Sequence, residues 1–141
     1  WLELEISDGM TMRNMDDVFA ALMQLKDMGV IITTDDFGLY LSFAGLKYFP
    51  INNLKIDRSL VNEIGTNRNN EAIAATVLFL GESLDLGVIA EGVENQEQLD
   101  FLRRHNCIEM QGYIFGRPME AEEFKKLLKG EYKLSLEQKI G

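Results

Sequence analysis

Short aliphatic runs alternate with stretches of helical period along the whole chain, a pattern of repeating strand–helix units rather than of an all-helical bundle or a sandwich. Five segments read as strands, at residues 2–6, 30–34, 53–56, 88–90 and, more weakly, 108–110. Between the first two, Met15, Val18, Phe19, Leu22 and Leu25 recur at helical spacing. Asn14 is placed to cap that helix and Gly29 to stop it. A second helix is expected over residues 70–86, with Ile73, Val77, Leu80 and Leu84 on one face and Gly87 as its stop. Asn95, followed three residues later by Gln98, is a capping-box pattern and opens a third helix. Residues 122–128 read as the last, ending near Gly130. The alternation predicts an α/β fold with parallel strands.

Composition narrows this picture. At 141 residues and 46% hydrophobic content, the chain is long enough for one domain with a real core, expected over residues 1–130, with 131–141 as an exit tail or linker. Its apolar runs fall short of the roughly 18 to 20 residues that cross a bilayer, and no signal peptide opens it. No direct membrane insertion is therefore expected, and the expected location is cytoplasmic, including as the cytoplasmic domain of a membrane-anchored parent. A start at Trp1 rather than Met suggests a piece of something longer. One cysteine, Cys107, and one histidine, His105, exclude an internal disulfide and a Cys/His zinc cluster. The net charge of −9 argues against duplex nucleic acid, since no basic stripe is available to displace counterions. An anionic ligand would need bound cations.

Polar residues sit at or just after each strand's carboxyl end: Glu5, Asp35 with Asp36, Lys55, Glu91 and Gln111. Active sites of parallel βα folds gather at that edge. Taken singly, each has a plainer reading: the aspartates as turn caps, the glutamates as solvated acids, Lys55 as their neutraliser, Gln111 as a turn amide. Taken together, they place an acid, base or amide from five successive strands on one rim. Glu3, two residues before Glu5, receives no role. Adjacent carboxylates joined by two more form an all-oxygen anionic cluster suited to Mg²⁺ or Mn²⁺, with room for two ions and for phosphate oxygens. Phosphodiester hydrolysis is the natural reaction of such a site, and a lysine among the acids stays charged and could hold the attacking water. A serine–histidine mechanism and a phosphate-cradling P-loop both lack their motifs.

In order along the chain, Leu4-Glu5-Ile6-Ser7-Asp8, Asp35-Asp36-Phe37-Gly38, Leu54-Lys55-Ile56-Asp57, Ala90-Glu91-Gly92-Val93-Glu94 and Gln111-Gly112-Tyr113 resemble the signatures of the EAL-domain family, over about residues 1–128. The resemblance implies a (β/α) barrel of TIM type, present here as a partial barrel of about five parallel strands. It implies a cyclic di-GMP phosphodiesterase that opens the cyclic dinucleotide to the linear one with two Mg²⁺ or Mn²⁺ ions. It also implies that Glu5, Asp35, Asp36 and Glu91 bind metal, that Lys55 serves the hydrolytic water, and that Gln111 orients the site.

Two departures modify those expectations. The family's Glu-Ala-Leu motif and an asparagine ligand would lie before Trp1, so the chain alone is expected to be inactive, an open partial barrel that forms a homodimer or otherwise self-associates. After the aspartates, where the family usually continues Thr-Gly-Tyr-Ser-Ser, the chain reads Leu39-Tyr40-Leu41-Ser42-Phe43, with one residue fewer before Pro50 and the shorter Asp8 as the acid that steadies this loop. That change favours a rival reading, a module that binds cyclic di-GMP without cleaving it. A second rival is a non-catalytic dimerisation platform.

Overall fold

A computed structural model of the protein describes residues 2–7, 15–37 and 49–130. The elements run β1 (Glu3–Ser7), α1 (Met15–Asp27), β2 (Ile31–Phe37), β3 (Asn53–Ile56), α2 (Arg58–Asn62), α3 (Arg68–Leu84), β4 (Gly87–Glu91), α4 (Gln96–Arg104), β5 (Glu109–Gln111) and α5 (Ala121–Leu128). All four strand pairings are parallel, and the five strands lie in sequence order, β1-β2-β3-β4-β5. Each strand is thus laid beside the one before it after a crossover, as in a consecutive stretch of a (β/α) barrel.

The two faces of the sheet differ because strand side chains alternate. Even positions carry Ile32, Leu54, Ile56 and Ala90, all with no exposed surface, and this face packs under the helices with Leu60 and Val61 of α2, Val77 and Leu78 of α3, and Leu99 and Leu102 of α4. Full burial of such aliphatic side chains stabilises the fold by about 1.5–3 kcal/mol each. Odd positions carry Glu3, Glu5, Thr33, Asp35, Asn53, Lys55 and Glu91, the polar face.

Local signals explain most boundaries. Gly29 ends α1 at φ +83°, with its N–H on the Lys26 carbonyl at 2.9 Å. The Asn95–Gln98 capping box is present in full at the start of α4. The second expected helix begins earlier and stops sooner: Asn67 caps α3 by accepting from the amides of Asn69 and Asn70, and Asp85 terminates it in the left-handed region at φ 57°. Gly87 is therefore not the stop. It is the first residue of β4, and a Cβ there would run into the Asn53 carboxamide. The short helix α2 escapes periodicity because it spans only five residues; Asp57 caps it, accepting from the Ser59 amide at 2.8 Å. Strand β2 runs through Phe37 rather than ending at Thr34, and it carries an irregularity. Thr34 pairs with Leu54 and Phe37 with Ile56, so three steps on β2 match two on β3, a bulge that falls on Asp35 and Asp36. The expected Asn14 cap, Asp8, the altered loop around Leu39 and Leu41, and the tail 131–141 lie outside the described residues. Among those described, no helix is long and apolar enough to cross a membrane.

Candidate active site

Lys55 organises the carboxyl ends of β1 to β4. Its stem is buried between strands, and its Nζ donates to Glu5 Oε2 at 2.9 Å, with Glu91 Oε2 at 3.3 Å and Asp35 Oδ1 at 3.6 Å. Three acids from three strands thus converge on one ammonium. Alternation puts Asp35 on the polar face with Thr33, in register with Ser7 of β1, and the bulge in β2 falls at this point, opposite Lys55. Burial on its own would pull the Lys55 pKa down; the hydrogen bond it donates to Glu5 and the charges of Glu91, Asp35 and Glu5 outweigh it and hold the group above the ordinary lysine value. Lys55 is accordingly an ammonium at neutral pH. The acids keep their outer sides in solvent, with Glu5 about half exposed and Asp35 and Glu91 about a third, so the cluster is open to a ligand from the rim.

Of the remaining expected site residues, Asp36 lies within β2, but its side chain is outside the described residues. Gln111 closes β5 in register with Glu91, and its carbonyl accepts the Val93 amide at 3.0 Å. Its side chain is not among the groups brought to Lys55; it is exposed and lines a cavity of about 500 Å³ with Tyr113, Arg117 and Phe124. Gly112 beside it is pinned: a Cβ would collide with the Val93 backbone, whose carbonyl accepts the Ile114 amide at 3.0 Å. At the same rim Arg58 pairs with Glu94, and the Tyr113 ring lies 6.0 Å from the Arg58 guanidinium and 4.5 Å from that of Arg117.

Sequence reasoning missed Glu3. It shares the polar face with Glu5, accepting a hydrogen bond from the Thr33 hydroxyl and another from Asn53 Nδ2 at 3.2 Å. Alternation put it on that face; nothing local announces its partners.

As a donor set, three carboxylates meeting at one point suit a hard divalent cation. The point itself is held by the Lys55 ammonium, and among the described residues no three His, Cys, Asp or Glu side chains stand together as a metal-binding group. The chemistry of the donors fits such an ion, and a full coordination set calls for further oxygens.

A sequence model of the EAL domain matches residues 1–118. The chain belongs to the EAL domain family. Among relatives of this EAL chain, MucR of Pseudomonas aeruginosa, a bifunctional diguanylate cyclase/cyclic di-GMP phosphodiesterase, is 43% identical over 123 residues, covering 86% of this chain and 18% of that protein. NbdA of the same organism, a cyclic di-GMP phosphodiesterase, is 38% identical over 130 residues, 92% of this chain and 17% of that one. The chain therefore spans less than a fifth of the length of either relative. Among solved structures, the MucR phosphodiesterase in complex with cyclic di-GMP superposes with a TM-score of 0.81 at 43% identity, over 87% of this chain and 50% of that one. The manganese and cyclic di-GMP complex of BlrP1 from Klebsiella pneumoniae gives 0.76 at 31% identity, over 82% and 30%. EAL domains have a TIM-barrel fold, and the five parallel strands here are a consecutive portion of it.

Proposed function

We propose that this chain is part of a metal-dependent cyclic di-GMP phosphodiesterase that hydrolyses the cyclic dinucleotide to the linear one. The observation that carries the reading is the convergence of Glu5, Asp35 and Glu91 on Lys55 at the carboxyl ends of four adjacent strands. MucR and NbdA, with the activities in their names, support the substrate, and the manganese in the BlrP1 complex supports the metal.

In this reading Glu5, Asp35, Asp36 and Glu91 supply oxygens to Mg²⁺ or Mn²⁺, two ions in the complete site. Bound there, the cations would neutralise the phosphodiester and make a water more acidic. Lys55, fixed on β3 and protonated, donates a hydrogen bond to the attacking water and orients it toward phosphorus. Glu91, whose carboxylate lies 3.3 Å from that ammonium, takes the water's proton in this reading. Gln111 contributes an amide from the rim. The water oxygen bonds to phosphorus, one phosphorus–oxygen ester bond breaks, and the departing ribose oxygen takes up a proton.

In this reading the described acids fall short of a full coordination set, so the 141-residue chain is inactive alone. Residues 1–130 form the domain portion and 131–141 lead out of it, in a cytoplasmic setting. The portion works as a homodimer or by self-association, for which Phe79 on the outer side of α3, 70% exposed, offers contact surface. The experiment is to graft the chain in place of the corresponding half of the MucR domain and follow conversion of cyclic di-GMP with Mn²⁺. Turnover that disappears on chelation is expected; a folded graft that binds the nucleotide without metal and never cleaves it would favour the receptor reading, to which Leu39-Tyr40-Leu41 points.

A further inference from the structure

We propose that Glu3, Thr33 and Asn53 form a positioning layer beneath the Lys55 cluster, holding β1, β2 and β3 in the alignment that lets Glu5, Asp35 and Lys55 meet. The inference rests on the reading of that cluster as the reacting centre.

The stacking is regular. Glu3, Thr33 and Asn53 each stand two residues before a cluster member on the same strand, before Glu5, Asp35 and Lys55 respectively, and so on the same face one step lower. Their contacts run across all three strands: the Thr33 hydroxyl donates to Glu3 Oε1, and Asn53 Nδ2 is shared between Glu3 Oε1 and Thr33 Oγ1 at 3.2 Å each. Thr33 has no exposed surface. The interior of a (β/α) barrel is ordinarily packed with branched aliphatic side chains, which would fill this level without desolvating polar groups. Thr33 is the buried member of the trio, with Asn53 half-buried and Glu3 exposed, so the cost of a polar choice falls on that hydroxyl, and its return is directional. Hydrogen bonds fix side chains and backbone register where aliphatic contacts tolerate sliding, and a slip of one residue would turn Glu5 or Lys55 to the opposite face.

Gly87 belongs to the same device. It pairs with Asn53 across the β3–β4 ladder, and a Cβ at 87 would overlap Asn53 Oδ1. Glycine at the start of β4 thus leaves room for the Asn53 amide to turn toward Thr33 and Glu3. Glu3 takes its hydrogen bonds from neutral donors, and among the described residues no cation pairs with it, so the layer does not draw Lys55 away from Glu5.

The test uses the whole chain and three substitutions. Thr33→Val keeps the shape and removes the hydroxyl, Gly87→Ala pushes the Asn53 amide aside, and Thr33→Ser restores the donor. Two readouts are taken: the nuclear Overhauser contact between the Lys55 ε-protons and the Glu5 γ-protons without metal, and the Mn²⁺ affinity from paramagnetic broadening. Thr33→Val and Gly87→Ala are expected to weaken the contact severalfold and Mn²⁺ binding by about tenfold, the scale of losses when groups behind metal ligands are removed, with Thr33→Ser near the parent. A folded Thr33→Val or Gly87→Ala chain with contact and affinity unchanged overturns the proposal. If Thr33→Val does not fold, Gly87→Ala decides, since the atoms nearest its added Cβ all belong to the Asn53 side chain. A parent chain that binds no Mn²⁺, yet loses the Lys55–Glu5 contact in the variants, would sink the metal reading and leave the positioning layer standing.

Discussion

Lys55 on β3 reaches across β2 to place its ammonium 2.9 Å from the Glu5 carboxylate on β1. Neither residue is a sequence neighbour of the other, and the strand between them supplies a second acid, Asp35, to the same ammonium. Removing the cation would leave three like charges converging on an apolar stub. Lys55→Met is therefore expected to abolish any turnover in the completed domain and to lower the stability of this chain. Breaking a fully buried pair costs about 3–5 kcal/mol, but the acids are partly solvated, so a loss of about 1–3 kcal/mol is the reasonable scale. Mn²⁺ should return part of it, raising the melting temperature of Lys55→Met more than that of the parent, because a divalent ion can take the ammonium's place. Calorimetry with and without metal checks both parts; equal metal response in the two chains counts against a shared site.

Gly112 tests how the rim beyond β5 is held. Its α-carbon lies against the Val93 backbone so closely that any side chain meets the Val93 nitrogen and carbonyl. Backbone cannot swing away as a side-chain tip can. Gly112→Ala should then break the bonds from Val93 to Gln111 and from Ile114 to Val93, destabilising the chain by about 3 kcal/mol, at the upper end of overpacking costs. Denaturant unfolding measures it. Gly130, with no atom near its missing Cβ but φ +71°, is the control, expected to cost about 1 kcal/mol from backbone strain alone.

The contrast between these glycines shows what a sequence discloses. Gly29 was legible as a helix stop because the signal is local: a helical period ends and a residue free to adopt positive φ follows. Asn95 and Gln98 were legible for the same reason. Gly87 was misread because a glycine after a helix looks like a stop, whereas its need is for space beside Asn53, 34 residues earlier. The five strand ends bearing Glu5, Asp35, Lys55, Glu91 and Gln111 could be read from alternation and from where parallel sheets keep their chemistry. Which of them meet could not: Lys55 gathers Glu5, Asp35 and Glu91, and Gln111 is left exposed at the edge. Glu3 was passed over because its donors, Thr33 and Asn53, are 30 and 50 residues away. The bulge at Asp35 and Asp36 was hidden because it is a mismatch between two strands, not a property of either.

Cys107 gives a pH dependence of defined sign. Burial pushes its thiol up to about 11 against an ordinary 9.0, with backbone contacts at Ala90 and Glu109 only partly offsetting. The thiol is thus neutral in the fold at pH values where the unfolded chain already ionises. A raised folded-state pKa contributes stability that is complete below pH 9 and is lost as the pH rises through about 11, by up to about 1.4 kcal/mol per pH unit. Unfolding free energies at pH 8 and pH 10.5 should differ more for the parent than for Cys107→Ala, and iodoacetamide should label the native thiol only slowly at pH 8. Fast labelling of the folded chain would contradict the burial.

Asp35 and Asp36 allow the sharpest separation between metal chemistry and scaffold. Both lie at a bulge, where the ladder between β2 and β3 is already interrupted, so trimming their side chains removes no strand pairing. Asp35 also stands farthest of the three acids from Lys55, at 3.6 Å, while Glu5 keeps its 2.9 Å hydrogen bond. Removing the Asp35 carboxylate gives up its 3.6 Å contact with Lys55 but relieves negative charge near Glu5, about half exposed, and Glu91, about a third exposed, so the net effect on the fold is small. The double substitution Asp35→Ala with Asp36→Ala should leave the melting temperature unchanged within a few degrees, yet reduce Mn²⁺ affinity by at least a hundredfold and end turnover in the MucR graft. If Mn²⁺ broadening at Glu91 and the rate of cyclic di-GMP cleavage both survive the double substitution, the two aspartates are not the metal anchor, and the acids on β1 and β4 must carry it without them.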